Sequence, residues 1–192
     1  MSSTTSSLSP LLQQALAASQ GNDSVTAMKL LTQACQEEPT SAWPHFLLGA
    51  ELAQSGRYQE AETSYANAVL LAPTLNIARY ELGTLQFTSG RASLALITWQ
   101  PLLNLPDVDP LKLFALGYAE LANDSFTDAI DYFQRGIAAN TVNAPLNGNI
   151  QLLIDRIRPL MQPPTEQTAG TETETNNTEH FLLAAYNNGP LH

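Results

Sequence analysis

Residues 48–73 read LGAELAQSGRYQEAETSYANAVLLAP, and this stretch indicates how the rest of the chain is built. It opens on a Leu-Gly pair, carries a second glycine at Gly56 and closes on Pro73. Between Gly56 and Pro73, small and aromatic side chains recur at steps of three and four residues, at Tyr58, Ala61, Tyr65 and Ala68. Such steps place side chains on one face of a helix. The stretch therefore predicts two helices that meet at a turn around Gly56.

The same pattern recurs along the chain with a period of 34 residues. The positions that share this step are Leu48, Leu82 and Leu116; Gly49, Gly83 and Gly117; Ala27, Ala61, Ala95 and Ala129; and Leu31, Tyr65, Trp99 and Phe133. A period of this length, with small residues at fixed points, is typical of antiparallel helix pairs that stack in a solenoid. At these residues the chain resembles the tetratricopeptide repeat (TPR) family, from about Ser9 to Thr141. The resemblance implies an all-α, right-handed solenoid of about four helix pairs.

The predicted repeats cover residues 9–40, 41–74, 75–108 and 109–141. Each repeat is expected to pair two helices across a short turn. Residues 144–160 follow, with apolar side chains at i, i+3, i+4 and i+7 spacing, at Ile150, Leu153, Ile154 and Ile157. This single apolar stripe predicts a C-terminal capping helix that covers the exposed face of the fourth repeat.

Pro101 falls inside the second helix predicted for the third repeat, at about residues 91–105. A proline in a helix interior removes a hydrogen bond and clashes with the preceding turn, at a cost of roughly 3 kcal/mol. We therefore expect this helix to kink or to end early, after Trp99 and Gln100. The apolar residues beyond that point are expected to stay packed, namely Leu102, Leu103 and Leu105.

The composition excludes several classes of partner. The net charge is −10 at pH 7 and the chain has only 8 Lys and Arg, so it lacks the basic surface that neutralises nucleic-acid phosphates. Anionic membrane surfaces are disfavoured for the same reason. The first residues lack the basic start and apolar run of a secretory signal, and no stretch approaches the ~20 apolar residues that span a bilayer. We therefore expect a cytoplasmic protein without a membrane segment.

No catalytic, cofactor or metal site is predicted. The three histidines, His45, His180 and His192, fit no metal-ligand spacing. Cys35 is the single cysteine, which rules out an intramolecular disulfide. No histidine lies near it in the sequence, so a buried structural thiol is favoured over a nucleophile. The repeat explains the glycines without a phosphate-binding loop, and the chain is predicted not to be an enzyme.

The family resemblance also implies a concave groove lined by the first helix of each repeat. The groove is expected to be lined by the face of each first helix that lies opposite its Leu-Gly pair. The predicted groove residues are then Trp43 and Phe46; Ile77, Tyr80 and Phe87; and Leu111, Phe114, Tyr118 and Leu121. Aromatic side chains in concave sites offer a large contact area at a low entropic cost. The alternative is that some of these residues, Phe46 and Phe114 among them, belong to the ordinary core between helices.

The chemistry of this groove favours an apolar guest. Many family members bind the C-termini of chaperones, and they use Lys, Asn and Arg on this face to hold a carboxylate. Here the corresponding positions are apolar or aromatic, and Arg79 and Lys112 lie one helical step away. We therefore expect the groove to bind an apolar peptide or helix rather than a carboxylate.

The chain ends carry separate predictions. Residues 1–8 are predicted to be disordered, and residues 162–179 to form a flexible acidic linker. The segment 180–192 then turns apolar, with a candidate motif at Phe181, Leu182, Leu183 and Tyr186. The linker of 18 residues spans roughly 20–25 Å by the flexible-chain estimate. Three alternatives remain open: the segment occupies the chain's own groove, binds another protein, or packs as an extra helix on the cap.

These observations predict a non-catalytic protein–protein interaction module. It would act as an adaptor, scaffold or chaperone-like protein that binds an apolar peptide or helix of a protein partner. The alternative is a structural or assembly protein that self-associates through the edge of the solenoid or through its C-terminal tail. No cofactor, nucleic acid or membrane is expected to take part, and a homo-oligomer is left open.

Overall fold

The computed structural model describes residues 9–161, and the predictions made for residues 1–8 and 162–192 lie outside it. Within the described range the chain forms nine α-helices and two short 3₁₀ helices, with no strand. The α-helices are α1 (Pro10–Gln20), α2 (Ser24–Glu37), α3 (Ala42–Gln54), α4 (Tyr58–Leu71), α5 (Asn76–Thr88), α6 (Ala92–Trp99), α7 (Pro110–Ala122), α8 (Phe126–Ala139) and α9 (Ala144–Ile157). The 3₁₀ helices follow α6 and α9, at Gln100–Asn104 and Arg158–Met161. The predicted all-α helical-repeat fold is confirmed.

The turns inside the helix pairs repeat the period of the sequence. Four residues in these turns have positive φ: Asn22 at 56°, Gly56 at 74°, Gly90 at 78° and Asp124 at 58°. Each lies 34 residues after the one before it. Glycine adopts this backbone conformation readily, and asparagine and aspartate tolerate it better than other residues. Each first helix therefore ends next to a residue that lets the chain reverse.

The chain divides into two compact units, Met1–Leu85 and Gln86–His192, and the boundary lies inside α5. In the first unit α1 packs on α2, α2 on α3 and α3 on α4. In the second unit α6 packs on α7, α7 on α8 and α8 on α9. Helices therefore contact their neighbours along the chain, as a repeat architecture requires.

The core of the first unit forms where small residues let two helices come close. Ala27 on α2 and Ala61 on α4 share the 34-residue step, and both are fully buried. Gly49 on α3 lies under the ring of Tyr65 on α4, and a Cβ atom on Gly49 would stand 2.6 Å from Tyr65 Cδ1. The small residues of the repeat are therefore the places where helix axes approach each other.

A buried carboxylate joins the first helix pair to the second. Glu51 on α3 is only 5% exposed. It accepts a short hydrogen bond from the Ser19 hydroxyl at the end of α1. It also accepts one from Ser24 Oγ at the start of α2, at 2.6 Å. Because a buried carboxylate is costly without partners, these two hydroxyls stabilise the junction between the first two repeats.

The core of the second unit is a cluster of aromatic rings. Tyr118 on α7 lies at its centre, stacked on Trp99 of α6 with ring centroids 5.0 Å apart. Phe87 of α5 approaches Tyr118 at 5.0 Å, and Phe133 of α8 meets it edge-on at 5.2 Å. Such offset and edge-to-face pairs add about 0.5–1.5 kcal/mol beyond the area they bury. Four helices of the second unit therefore meet at one aromatic side chain.

The second helix of the third repeat ends early, as the position of Pro101 predicts. α6 ends at Trp99, and a 3₁₀ helix that includes Pro101 follows it. Leu102 is fully buried and Leu105 is partly buried, as expected. The expectation that Leu103 packs is wrong, because its side chain is exposed. The change from an α-helix to a 3₁₀ helix rotates Leu103 to the solvent side.

The final helix covers the end of the second unit. Its buried residues face α8 and lie along one stripe, at Leu146, Ile150, Ile154 and Ile157, while Leu153 is partly buried. Asn140, which is itself buried, holds the connection between α8 and α9. Its Nδ2 donates to the Asn143 carbonyl at 2.9 Å and to Asn147 Oδ1 at 2.8 Å. α9, the last α-helix within residues 9–161, thus buries one apolar stripe in the second unit, and its role as a cap stays a prediction.

Candidate peptide-binding face

The first unit exposes an aromatic pair on the predicted face of α3. Trp43 is 46% exposed. Its ring meets Phe46 edge-on, with centroids 5.8 Å apart and an interplanar angle of 78°. Phe46 in turn lies 5.9 Å from the buried ring of Tyr65. The core therefore holds Phe46 in place, and Phe46 supports a tryptophan that stays open to solvent.

The other predicted groove residues fall into two classes by burial. Ile77 and Leu111 are partly buried, and they occupy the positions equivalent to Trp43 in the next two repeats. The remaining members of the set are buried, namely Tyr80, Phe87, Phe114, Tyr118 and Leu121. Burial of these five favours the alternative that they are core between helices. In the first unit Trp43 and Ile77 thus keep exposed area, and in the second unit Leu111 does, while the five buried side chains support the helices.

The structure shows what buries Phe114. A Cβ atom built on Gly136 of α8 would stand 2.4 Å from Phe114 Cε1, so the ring rests directly on the glycine backbone. Gly136 occupies the position that Ala34 and Ala68 hold in the first two repeats. Glycine in place of alanine at this position is the feature of the sequence that indicates a large side chain packed on α8.

The structure also shows how the two cations near the predicted face are used. Arg79 Nη2 donates to the Pro73 carbonyl at 3.2 Å. Lys112 Nζ donates to the Leu105 carbonyl at 3.0 Å and to Asp107 Oδ1 at 2.7 Å. Lys112 thereby lowers the pKa of the Asp107 carboxyl. Arg79 thus binds the segment that precedes α5, and Lys112 binds the segment that precedes α7. Both contacts are structural.

One pair of reactive side chains meets across α2 and α3. Cys35 Sγ lies 3.6 Å from His45 Nδ1, although ten residues separate them in the sequence. Desolvation raises the pKa of the Cys35 thiol to about 11, and it lowers the pKa of His45. A nucleophilic cysteine needs the opposite shift, towards the thiolate. Both pKa shifts favour the neutral side chains, so we interpret the contact between Cys35 and His45 as structural.

A shallow cavity of about 280 Å³ lies between α2, α3 and α4. Its lining is mixed, with Met28, Thr32, Leu48, Leu52, Arg57, Glu60, Thr63 and Ser64. Arg57 at its edge is paired with Glu60 at 2.6 Å, and both side chains are exposed. The wall consists of repeat-packing residues with one surface ion pair, so it lacks the convergent polar groups of a small-molecule site.

Across residues 9–161, no group of three or more His, Cys, Asp or Glu side chains is placed to hold a metal ion. Over the same range, no helix combines the length and the apolar character needed to cross a membrane.

Comparison with known proteins agrees with the repeat architecture. Residues 46–100 match a family model described as tetratricopeptide repeat. No curated protein sequence matches the chain significantly. Among solved structures, residues 41 to the end of MamA from Desulfovibrio magneticus RS-1 are 18% identical with a TM-score of 0.57, and the match covers 78% of this chain and 86% of that one.

Two other solved structures extend the likeness. YrrB, described as a TPR protein with an unusual peptide-binding site, is 18% identical with a TM-score of 0.56, covering 79% of this chain and 76% of that one. A chain of the APC/C hetero-tetramer Cut9–Hcn1 is 18% identical with a TM-score of 0.67, covering 78% of this chain and 29% of that one. At this level of identity the likeness shows the fold alone. The 34-residue register, the paired helices and the match over residues 46–100 together support a tetratricopeptide repeat protein.

Proposed function

We propose that this protein is a non-catalytic protein–protein interaction module, an adaptor or chaperone-like protein, that binds an apolar peptide or helix on the α3 face around Trp43. The observation that carries this proposal is the exposed tryptophan held by Phe46. Tryptophan is among the residues that dominate binding energy in protein interfaces, and a rigid, supported ring loses little entropy when it is covered. The proposed contact surface is therefore the part of the predicted groove that surrounds Trp43 on α3.

The equivalent position in the next repeat supports an extended guest. Ile77 follows Trp43 at the repeat step and keeps part of its surface exposed. The first unit thus offers one partly exposed apolar side chain in each of two repeats, which suits a partner that presents apolar residues at regular spacing. YrrB is described as having a peptide-binding site, but the proposal for this chain rests on its own residues.

Charge supports an apolar guest over a carboxylate. The structural contacts of Arg79 and Lys112 occupy the two cations near the predicted face. A net charge of −10 also repels acidic partners at long range. The guest is therefore expected to be neutral or basic, with an apolar face.

Fluorescence can test this proposal because the chain contains two tryptophans, one exposed and one buried. The variant Trp99→Phe leaves Trp43 as the single reporter. It would be titrated with a short amphipathic peptide that carries leucine and phenylalanine at i, i+3, i+4 and i+7. A peptide of equal length with serine at these positions is the negative probe. Saturable burial of Trp43 by the first peptide alone is expected.

The matched variants decide whether Trp43 itself makes the contact. Trp43→Ala lacks the reporter, so its binding is read from a dye attached to the peptide; it is expected to weaken peptide binding at least about tenfold while leaving helicity intact. Leu70→Gln, on the exposed side of α4, removes a comparable apolar surface and should bind like the wild type. Equal binding by the Trp43→Ala and wild-type proteins would overturn the proposal.

The alternative of self-association is tested on the same samples. Light scattering over a wide concentration range would show a rising mass if the protein assembles through its edge or tail. A constant monomer mass, together with peptide binding, supports the interaction module. The cytoplasmic location stays a prediction from the sequence.

A further inference from the structure

The outer side of α6 is an apolar surface that the described helices leave uncovered. The helix reads ASLALITW, with Ala95 and Trp99 buried in the second unit. The opposite side exposes Leu94, Leu96 and Ile97, the last to 67%. We call these three residues the α6 outer face. Helices of globular proteins usually carry polar residues on the side that meets water.

The other repeats show that this surface is particular to the third repeat. At the position of Leu94, the other second helices carry Thr26, Glu60 and Asp128. At the position of Ile97, they carry Lys29, Thr63 and Asp131. All six of these polar side chains are exposed. The positions of Leu94 and Ile97 are therefore solvent positions in the repeat, and only the third repeat fills them with large apolar side chains. The position of Leu96 differs, because its equivalents Met28, Glu62 and Ile130 are partly buried.

We propose that the α6 outer face is the docking site for this chain's own C-terminal segment, residues 180–186. That segment reads HFLLAAY and supplies large apolar side chains at Phe181, Leu182, Leu183 and Tyr186. Four large apolar side chains within six residues match the α6 outer face in chemistry.

The length of chain outside the described range fits this docking. Met161 lies in the 3₁₀ helix that contacts α8. α7 contacts both α8 and α6, so at most two helix spacings, about 16–20 Å, separate the axes of α6 and α8. Residues 162–179 number 18, and the random-chain estimate for that length is roughly 20–25 Å. These 18 residues are therefore long enough to cross two helix spacings.

Charge and concentration favour the chain's own segment over that of a second copy. A linker whose reach matches the span gives an effective concentration in the millimolar range. Two copies of a protein with net charge −10 repel each other as they approach. Docking within one molecule therefore precedes exchange between molecules at ordinary concentrations.

Amide hydrogen exchange on the full chain tests this proposal at low and at high protein concentration. Amides of residues 180–186 are expected to be protected at both. The variant Leu94→Glu/Ile97→Thr places the residues of the second repeat, Glu60 and Thr63, on α6, and circular dichroism checks that it folds. Protection in this variant should fall at least about tenfold. The control Leu70→Gln should leave it unchanged.

A second readout avoids any change in the repeats other than one surface thiol. In an Ile97→Cys protein, maleimide labelling of the new thiol should be slow, because the C-terminal segment covers it. Adding Leu182→Asp/Leu183→Asp should speed labelling at least about fivefold. Cys35 gives a slow background, since its pKa is raised to about 11.

Three outcomes would overturn the proposal. Absence of protection in the wild type at both concentrations would show that the segment does not dock. Protection only at high concentration would assign the contact to a second copy. Protection that survives Leu94→Glu/Ile97→Thr would place the segment on another surface.

Discussion

Gly117 of α7 lies directly under the ring of Phe133 on α8, so close that a Cβ atom on Gly117 would stand 2.5 Å from Phe133 Cε1. Gly49 and Tyr65 repeat this arrangement in the first unit at 2.6 Å. A carbon atom cannot approach a ring that closely without displacing it. The glycine of the Leu-Gly pair therefore sets the separation between the two helices of a repeat.

Gly117→Ala is expected to destabilise the protein by about 1–3 kcal/mol, because overpacking outweighs the better helix propensity of alanine. Gly148→Ala is the matched control, since a Cβ atom on this α9 residue meets nothing within 4 Å. The control should gain about 0.5–1 kcal/mol. Urea unfolding of the three proteins gives the comparison. If both substitutions stabilise equally, the contact between Gly117 and Phe133 is not tight.

Glu51→Gln should cost about 1–3 kcal/mol, because the amide replaces one of the two oxygens that accept from Ser19 and Ser24 with an NH2 donor group. A double-mutant cycle with Ser24→Ala isolates the contact seen at 2.6 Å. The loss from Ser24→Ala is expected to be smaller when residue 51 is already glutamine, with a coupling above about 0.5 kcal/mol. Additive losses would show that the hydroxyl and the carboxylate contribute separately.

Because of Glu81 on α5, we expect the free energy of unfolding to fall as the pH rises. Burial raises the pKa of its carboxyl from 4.5 to about 7. Below about pH 4.5 the carboxyl is protonated in both the folded and the unfolded protein, so burying it costs no free energy of ionisation. As the pH rises through about 7, ionisation favours the unfolded protein and the free energy of unfolding falls. Glu81→Gln should remove this loss, so the variant gains about 1–3 kcal/mol over the wild type between about pH 5 and pH 8.

Urea unfolding of both proteins at several pH values measures this gain. The quantity of interest is the difference in unfolding free energy between Glu81→Gln and the wild type, because other carboxylates cancel in it. A difference that stays constant from about pH 5 to pH 8 would contradict the raised pKa.

Asn140→Ala should detach the cap locally. The substitution removes the two hydrogen bonds that the side chain donates and one that it accepts from the Asn143 amide at 3.2 Å. The cost is expected to be about 2–3 kcal/mol. Hydrogen exchange should rise along α9 more than along α7. Asn149→Ala, on the exposed side of α9, is the control and should leave this pattern unchanged.

The repeat register was sufficient to predict the helical fold because its parts follow local rules. Positive φ at Gly56 and Gly90 follows from turn chemistry. The end of α6 before Pro101 follows from a missing donor and a clash. Each of these features depends on a few residues that are close together in the sequence, so a single sequence is enough to predict it.

The division of the predicted groove into exposed and buried residues depends instead on what lies across each helix. Trp43 and Phe114 occupy faces of the same kind in the sequence, but Phe114 rests on Gly136 while Trp43 stays open. The contact between Cys35 and His45 likewise needs the packing of α2 on α3. Neither follows from spacing alone, because both require the partner helix to be known.

The outer side of α9 affects where an additional repeat could stack in this array. A repeat array lengthens by duplication, and each new unit must find an apolar face on which to stack. Beyond its buried stripe, α9 exposes the polar side chains of Gln151, Asp155 and Arg156 and a single large apolar one, Leu152, which is little for another helix pair to stack on. A repeat duplicated upstream of residue 144 would instead meet the apolar faces that the described repeats already use.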